Sequence, residues 1–145
     1  MLRVLFLCTG NSCRSQMAQA WTNHIHKGKI IAFSAGIRPE KQIMPLTIKV
    51  MREAGLDISD QRPKHLDVFK NESFDYVITL CDRARESCPV YWGKAVKIHA
   101  GFDDPLTLAE SAASQEEALA HYRRVRDEIK NFVMKMPELL PGTRQ

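Results

Sequence analysis

Residues 8 to 15 read Cys8-Thr9-Gly10-Asn11-Ser12-Cys13-Arg14-Ser15 and follow directly on the apolar run Val4-Leu5-Phe6-Leu7. A thiol, five residues and then an arginine, set between a buried strand and an amphipathic helix, let one loop wrap a tetrahedral oxyanion. The backbone N–H groups of Thr9 to Ser15 point inward, the helix N-terminus adds partial positive charge, and the planar fork of Arg14 grips two oxygens. The same field stabilises a thiolate at Cys8, which makes that sulfur the candidate nucleophile. Gly10 and Asn11 are residue types that tolerate positive φ, as a tight anion-cradling turn requires. Ser15 is placed to donate a hydrogen bond to the Cys8 sulfur, and Ser12 to cap the helix. Cys13 reads as a small apolar residue packed under the loop.

Two further constellations supply what such a nucleophile needs. Leu80-Cys81 ends a second apolar run, and Cys88 follows after the polar stretch Asp82-Arg83-Ala84-Arg85-Glu86-Ser87. With Cys8, these are three thiols that could exchange disulfides in sequence. Inert cysteines and a zinc site are the alternatives; the spacing fits no common finger pattern, and the histidines form no paired-ligand motif. Gly101-Phe102-Asp103-Asp104-Pro105 offers a carboxylic acid able to protonate a leaving oxygen. Asp104 is the candidate because the adjacent proline stiffens its backbone, with Asp103 as a loop cap; the competing reading is an ordinary Asp-Pro surface turn.

Alternating strands and helices must position these groups. Val4 to Cys8, Ile30 to Ser34, Tyr76 to Leu80 and Val96 to His99 are short apolar or β-branched runs that suit strands covered on both faces. Met17, Trp21 and Ile25 share one helical face, and Met44, Ile48 and Met51 another, with Pro45 in the first turn and Gly55 at the stop. Ser114 and Glu117 form a capping box, after which Tyr122, Val125, Ile129, Phe132, Val133 and Met136 recur at helical spacing until Pro137. The expected fold is a single α/β domain, a three-layer sandwich with a central four-stranded parallel sheet flanked by helices. Ligands then bind beyond the carboxyl ends of the strands. Residues 1 to 136 form the catalytic domain, and 137 to 145, with two prolines and a glycine, a flexible tail.

Composition narrows the partners. The chain has 145 residues, 44% of them apolar and 26% charged, as in ordinary globular domains. The N-terminal apolar run is too short for a signal-peptide core or a membrane span, so a cytoplasmic protein is expected, in which four cysteines are catalytic, redox or metal-binding thiols. The net charge of +4 arises from 21 basic against 17 acidic residues spread along the chain. The one dense cluster, Arg123-Arg124-Val125-Arg126, reads as a solvated helix face with no stacking platform beside it, so no nucleic-acid partner is expected. A monomer is the expected state.

The stretches from Cys8 to Ala18, Ser34-Ala35-Gly36, Thr79-Leu80-Cys81, Cys88-Pro89 and Gly101 to Pro105 occur in one order along nearly the whole chain. In this the sequence resembles the thioredoxin-coupled arsenate reductases, which share the fold of low-molecular-weight protein tyrosine phosphatases. The resemblance implies that Cys8 attacks arsenate held by the loop and Arg14 while Asp104 protonates the departing oxygen. Cys81 then attacks Cys8 to release arsenite, Cys88 attacks Cys81, and reduced thioredoxin opens the Cys81–Cys88 disulfide. It implies no tightly bound cofactor. Some members bind potassium through an asparagine, a serine and acidic groups. Asn11 and Ser34 match, but Gln19 stands where a glutamate is usual, so no metal is expected beyond a weak potassium site at Asn11 and Ser34. A phosphatase acting on phosphate monoesters is the competing reading, since the same loop serves it. That subfamily carries paired aromatics after its Asp-Pro, where this chain has Leu106-Thr107-Leu108. A non-catalytic anion-binding or redox-sensing module is a third.

Overall fold

Alternation along the central strand decides the layers. The computed structural model describes residues 1–89 and 92–140. In β1 (Leu2–Cys8), Val4, Phe6 and Cys8 face one core while Leu5 and Leu7 face another, and all five are buried. A strand covered on both faces reads as a continuous apolar run, which is what Val4 to Leu7 is. β2 (Ile30–Gly36), β3 (Tyr76–Thr79) and β4 (Val96–His99) join it in a four-stranded parallel sheet of order β2-β1-β3-β4. The chain starts at β1, pairs β2 on one side and returns to β3 on the other, so the order reverses at β1. That reversal is where open α/β sheets bind ligands.

Helices α1 (Arg14–Ile25), α2 (Pro45–Glu53) and α5 (Gln115–Met134) cover the first face, burying Met17, Met51, Tyr122 and Ile129 against Phe6 and Ile78. A 3₁₀ turn (Leu66–Phe69) and α3 (Asp82–Glu86) cover the second, where Leu66, Phe74, Ala84 and Trp92 pack on Leu5 and Val77. The layered parallel sheet is as expected, with differences at the margins. β4 is an edge strand whose Val96 and Lys97 are exposed, because nothing pairs beyond it. In α2 the buried face is Thr47, Val50 and Met51, leaving Met44 and Ile48 half-buried. Pro45 stands at the start of that helix, and Gly55 follows its cap with φ of +91°.

The expected tail begins later in the packing than residue 137. Met136 and Leu140 are fully buried, and Met136–Leu139 forms a last helical turn, α6. Only 137 to 140 of that stretch are described; 141 to 145 lie outside the described residues. In the basic cluster, Val125 is buried while Arg123 forks onto Glu53, Arg124 meets Asp103 and Glu128, and Arg126 reaches the Val50 carbonyl. The first of these bonds holds the Glu53 carboxyl below its ordinary value. Among the described residues no helix is long and apolar enough to cross a membrane.

The capping box closes in a modified form. Ser114 Oγ accepts from the Glu117 N–H at 3.1 Å, but the Glu117 carboxylate reaches back to the Ala113 N–H at 2.8 Å, one residue before the cap. Ser114→Ala is expected to cost about 1 kcal/mol, read as a lower urea midpoint at unchanged m-value.

Candidate active site

The sheet ladder continues past its formal end and carries three segments to one place. Ile37 N–H donates to the Cys8 carbonyl, Leu80 N–H to that of Leu7 and Phe102 N–H to that of Leu80, at 2.9 to 3.2 Å. Residues 8–14, 37–40, 81 and 102–104 therefore gather at the carboxyl edge. The Cys8 to Arg14 turn, with Glu40, Asp104 and Leu106, encloses a cavity of about 110 Å³. That is a few times the ~30 Å³ a water occupies, the scale of a tetrahedral oxyanion.

Within the turn, Asn11 has φ of +51°, the one positive value among described non-glycine residues. Gly10 is not in that region; a Cβ there would meet Glu40 Cγ at 3.1 Å, a tight contact with a side chain that has to give by a few tenths of an ångström. Asn11 Nδ2 donates to Ser15 Oγ at 2.7 Å, and Ser15 Oγ lies 2.9 Å from Cys8 Sγ. Asn11 occupies one Ser15 lone pair, and a Ser15 hydroxyl that donates to the sulfur favours the thiolate.

Ionisation of Cys8 is nevertheless contested. Burial pushes its thiol above the ordinary value, while the Ser15 hydroxyl, the charge of Arg14 and the N–H groups of Ser15 and Asn11 pull it down. The field expected from the loop is in place, and it works against the burial of a residue that is 3% exposed. The Cys13 thiol is also pushed up, to about 12, chiefly by burial. Cys13, not Ser12, occupies the cap position of α1, and neither provides a side-chain cap, because the free N–H groups at this helix start face the loop interior instead.

Arg14 starts α1 but is fixed by the opposite wall. Its Nη1 donates to the Phe102 carbonyl at 3.0 Å, and Nη2 lies 3.6 Å from Asp104 Oδ2. Asp104 lines the cavity, while Asp103 turns outward to Arg124. The capping role assigned to Asp103 belongs to Asp104, whose Oδ1 accepts from the Leu106 N–H at 3.0 Å at the start of α4 (Pro105–Glu110). One carboxyl thus both fixes the loop and faces the pocket.

The later thiols are treated unequally. Cys81 Sγ lies 3.2 Å from Thr9 Oγ1, in hydrogen-bond contact with the nucleophile's own loop. Cys88 stands at the far end of α3, half-buried among Thr79, Arg85, Lys97 and His99, its thiol pushed up by burial against the pull of Lys97. All four cysteines are free.

Several supporting residues carry no local signal. Gly36 pairs with Cys8, and a Cβ on it would stand 2.7 Å from the Thr9 carbonyl oxygen. Gln16, fully buried, donates to the Asn11 and Arg62 carbonyls and accepts from Gln61, and the Lys64 N–H donates to Asn11 Oδ1. Glu40 arrives through pairing with the loop. Each partner is distant in sequence; a run of buried polar residues at the start of α1, Arg14-Ser15-Gln16, is the one clue the helix pattern offers. The two residues named for a weak potassium site are committed to protein partners: both Asn11 oxygens accept protein donors, and the Ser34 hydroxyl donates to Gln19 Oε1 at 2.5 Å. Among the described residues no group of three or more His, Cys, Asp or Glu is arranged to hold a metal ion.

Comparison with known proteins adds the following. The model of a family described as low molecular weight phosphotyrosine protein phosphatase matches residues 3–143. An arsenate reductase of Bacillus licheniformis is 42% identical over 135 residues, covering 93% of this chain and 94% of that one. A solved arsenate reductase in its phosphate-binding state superposes with a TM-score of 0.79 at 30% identity, over 97% of this chain and 99% of that one. The thioredoxin-dependent arsenate reductase of Corynebacterium glutamicum superposes with a TM-score of 0.73 at 26% identity, over 96% of this chain and 61% of the other.

Two outcomes test this geometry. Ser15→Ala removes a bond that lowers the Cys8 thiol, so the pH midpoint of iodoacetamide alkylation at Cys8 moves up and the rate at pH 7 falls. Gly36→Ala forces the β2 end away from the Thr9 carbonyl, costing on the order of 1–3 kcal/mol and weakening phosphate binding by isothermal titration calorimetry.

Proposed function

This chain belongs to the low molecular weight phosphotyrosine protein phosphatase family, and we propose that within it the chain is an arsenate reductase that passes electrons from thioredoxin to arsenate through Cys8, Cys81 and Cys88. The observation that carries this reading is the contact between Thr9 and Cys81. A hydrolase needs a nucleophile, an arginine and an acid; a second thiol against the nucleophile's loop serves a reaction that ends in a disulfide.

The sequence of bonds follows from the roles of the residues. Arsenate sits in the Cys8 to Arg14 turn, its oxygens taken by the backbone N–H groups and the Arg14 fork. The ionised fraction of Cys8 attacks arsenic, one oxygen leaves with a proton from Asp104, and a sulfur–arsenic(V) bond forms. Asp104 stands on the cavity wall and supplies the carboxyl for that transfer. Cys81 then attacks Cys8 sulfur, the pair of electrons in the sulfur–arsenic bond passes to arsenic, and arsenite leaves a Cys8–Cys81 disulfide. Arsenic is reduced by two electrons and two thiols are oxidised. Cys88 attacks Cys81, which frees Cys8 and moves the disulfide to Cys81–Cys88.

That last exchange requires α3 to open. Its residues are bonded as a helix between the two sulfurs, Arg85 N–H to the Cys81 carbonyl and Ser87 N–H to that of Arg83. Seven residues at ~1.5 Å each separate the ends by roughly 10 Å, beyond the ~7 Å that a disulfide spans between Cα atoms. An isolated helix of five residues has little stability of its own, so the cost of opening it is modest. The opened segment presents the disulfide to a thioredoxin-type dithiol, which accepts the oxidation and resets the chain. Free thiols between turnovers suit a reducing compartment such as the cytoplasm, and every step needs a single chain.

The phosphatase reading shares the loop, and slow cleavage of aryl phosphates accompanies the main reaction. Among the described residues no aromatic lines the cavity, and Leu106 stands at its wall. The decisive assay couples arsenate to NADPH oxidation through thioredoxin and thioredoxin reductase. Cys8→Ser, Cys81→Ser and Cys88→Ser each abolish multiple turnover, whereas Cys8→Ser alone abolishes p-nitrophenyl phosphate cleavage; full steady-state arsenate turnover by Cys88→Ser would refute the relay.

A further inference from the structure

The lip of the oxyanion pocket carries a carboxylate that the proposed reaction does not use. Beyond β2 the chain keeps pairing with the loop: Ile37, Arg38 and Glu40 donate their N–H groups in turn to the carbonyls of Cys8, Thr9 and Gly10, at 3.2, 2.9 and 2.9 Å. This ladder sets the Glu40 backbone on the rim. The side chain leans over the turn, since a Cβ on Gly10 would meet its Cγ at 3.1 Å and its Oε1 at 3.7 Å. It lines the same cavity as Cys8 and Arg14.

Glu40 has no ion-pair partner among the described residues. Arg14 is turned toward Phe102 and Asp104, on the other wall. An unpaired carboxylate beside an anion-binding turn opposes negative charge at the mouth while the turn attracts it at the floor. A free tetrahedral oxyanion is held by the floor. Anything attached to it extends into a pocket whose wall beyond the turn is Glu40, Asp104 and Leu106, and of the two carboxylates Glu40 is the one with no cation beside it among the described residues.

We propose that Glu40 is a specificity-determining residue that selects the charge of that attachment: the pocket admits a free oxyanion, or one bearing a neutral or cationic substituent, and rejects monoesters whose substituent is anionic. The proposal rests on the Cys8 loop being an oxyanion site and names which oxyanions it takes. It also gives a reason for a phosphatase-like loop to favour an unsubstituted substrate.

The test needs no enzymatic turnover. In a Cys13→Ala/Cys81→Ser/Cys88→Ser chain, Cys8 is the one thiol left of the four; Cys13 is removed because it is buried to the same degree as Cys8 and lines the same pocket. Cationic 2-(trimethylammonio)ethyl and anionic 2-sulfonatoethyl methanethiosulfonate each react with it, the thiolate displacing methanesulfinate to leave a mixed disulfide whose charged tail lies at the lip. The ratio of the two rates cancels any change in Cys8 ionisation. Glu40→Gln is expected to lower the cation-to-anion ratio by about three-fold, the size of an exposed charge interaction, and Glu40→Lys to lower it further. Glu40→Asp keeps most of the ratio, and high salt shrinks it in the parent chain. A ratio in Glu40→Gln equal to that of the parent overturns the proposal. Arsenate-coupled NADPH oxidation by the otherwise native chain is scored separately. A charge-selective lip without arsenate turnover would sink the reductase reading alone, and turnover without selectivity would sink this proposal alone.

Discussion

The left-handed turn at Asn11 is the constraint on which the carboxyl edge of the sheet depends. In that conformation one residue ties two segments to the loop: its side-chain amide donates to Ser15 and its backbone carbonyl accepts from Gln16, both on α1, while its Oδ1 accepts from the Lys64 N–H. Loss of any one loosens the turn against α1 or against the 61–64 segment. A non-glycine residue in this region costs energy that the surroundings must offset, and asparagine is among the types that bear it most readily. Gly36 answers the same demand from the other side, letting the β2 end lie against the loop where an added methyl group would stand 2.7 Å from the Thr9 carbonyl oxygen.

Burial gives this site its character. Arg14, Ser15, Gln16 and Asn11 are almost wholly withdrawn from water at the start of α1, where a helix built only for packing would place apolar groups. Polar groups removed from water are costly unless each finds a partner, and here nearly all do. The same withdrawal that orders them also resists charge on Cys8. Reactivity therefore rests on a balance between desolvation and four stabilising contacts, and each of the four is tied to the Asn11 turn or to the Phe102–Asp104 wall.

Local order made much of this legible in the sequence. The strand into Cys8, the loop after it and the Asp-Pro turn are contiguous, so residue type and spacing speak directly. Tyr122, Val125 and Ile129 announced the long helix for the same reason. What stayed hidden was brought by the fold from far along the chain: Gly36, Glu40, Gln61 and Lys64 reach the loop only through strand pairing and crossover. Neighbouring positions also exchanged roles. Asp104 rather than Asp103 caps α4, and Cys13 rather than Ser12 precedes α1, since a one-residue phase is set by backbone geometry that composition does not report. Cys88 illustrates a third limit: spacing suggested that it could meet Cys81, but it did not reveal that a helical turn, Asp82–Glu86, lies between them.

The silence of Cys13 has an arithmetic consequence. Of four sulfurs, Cys13 packs in the core beside the loop and takes no part in the proposed relay, which leaves three for exchange. Disulfides consume sulfurs in twos, so an odd set can never be exhausted by internal pairing. Whatever pair is joined, one member is left over, and when the pair is Cys81 with Cys88 the remainder is the sulfur at the bottom of the pocket. A fourth reactive thiol would allow a dead-end state with every sulfur tied up; keeping Cys13 out of play removes that state from the molecule.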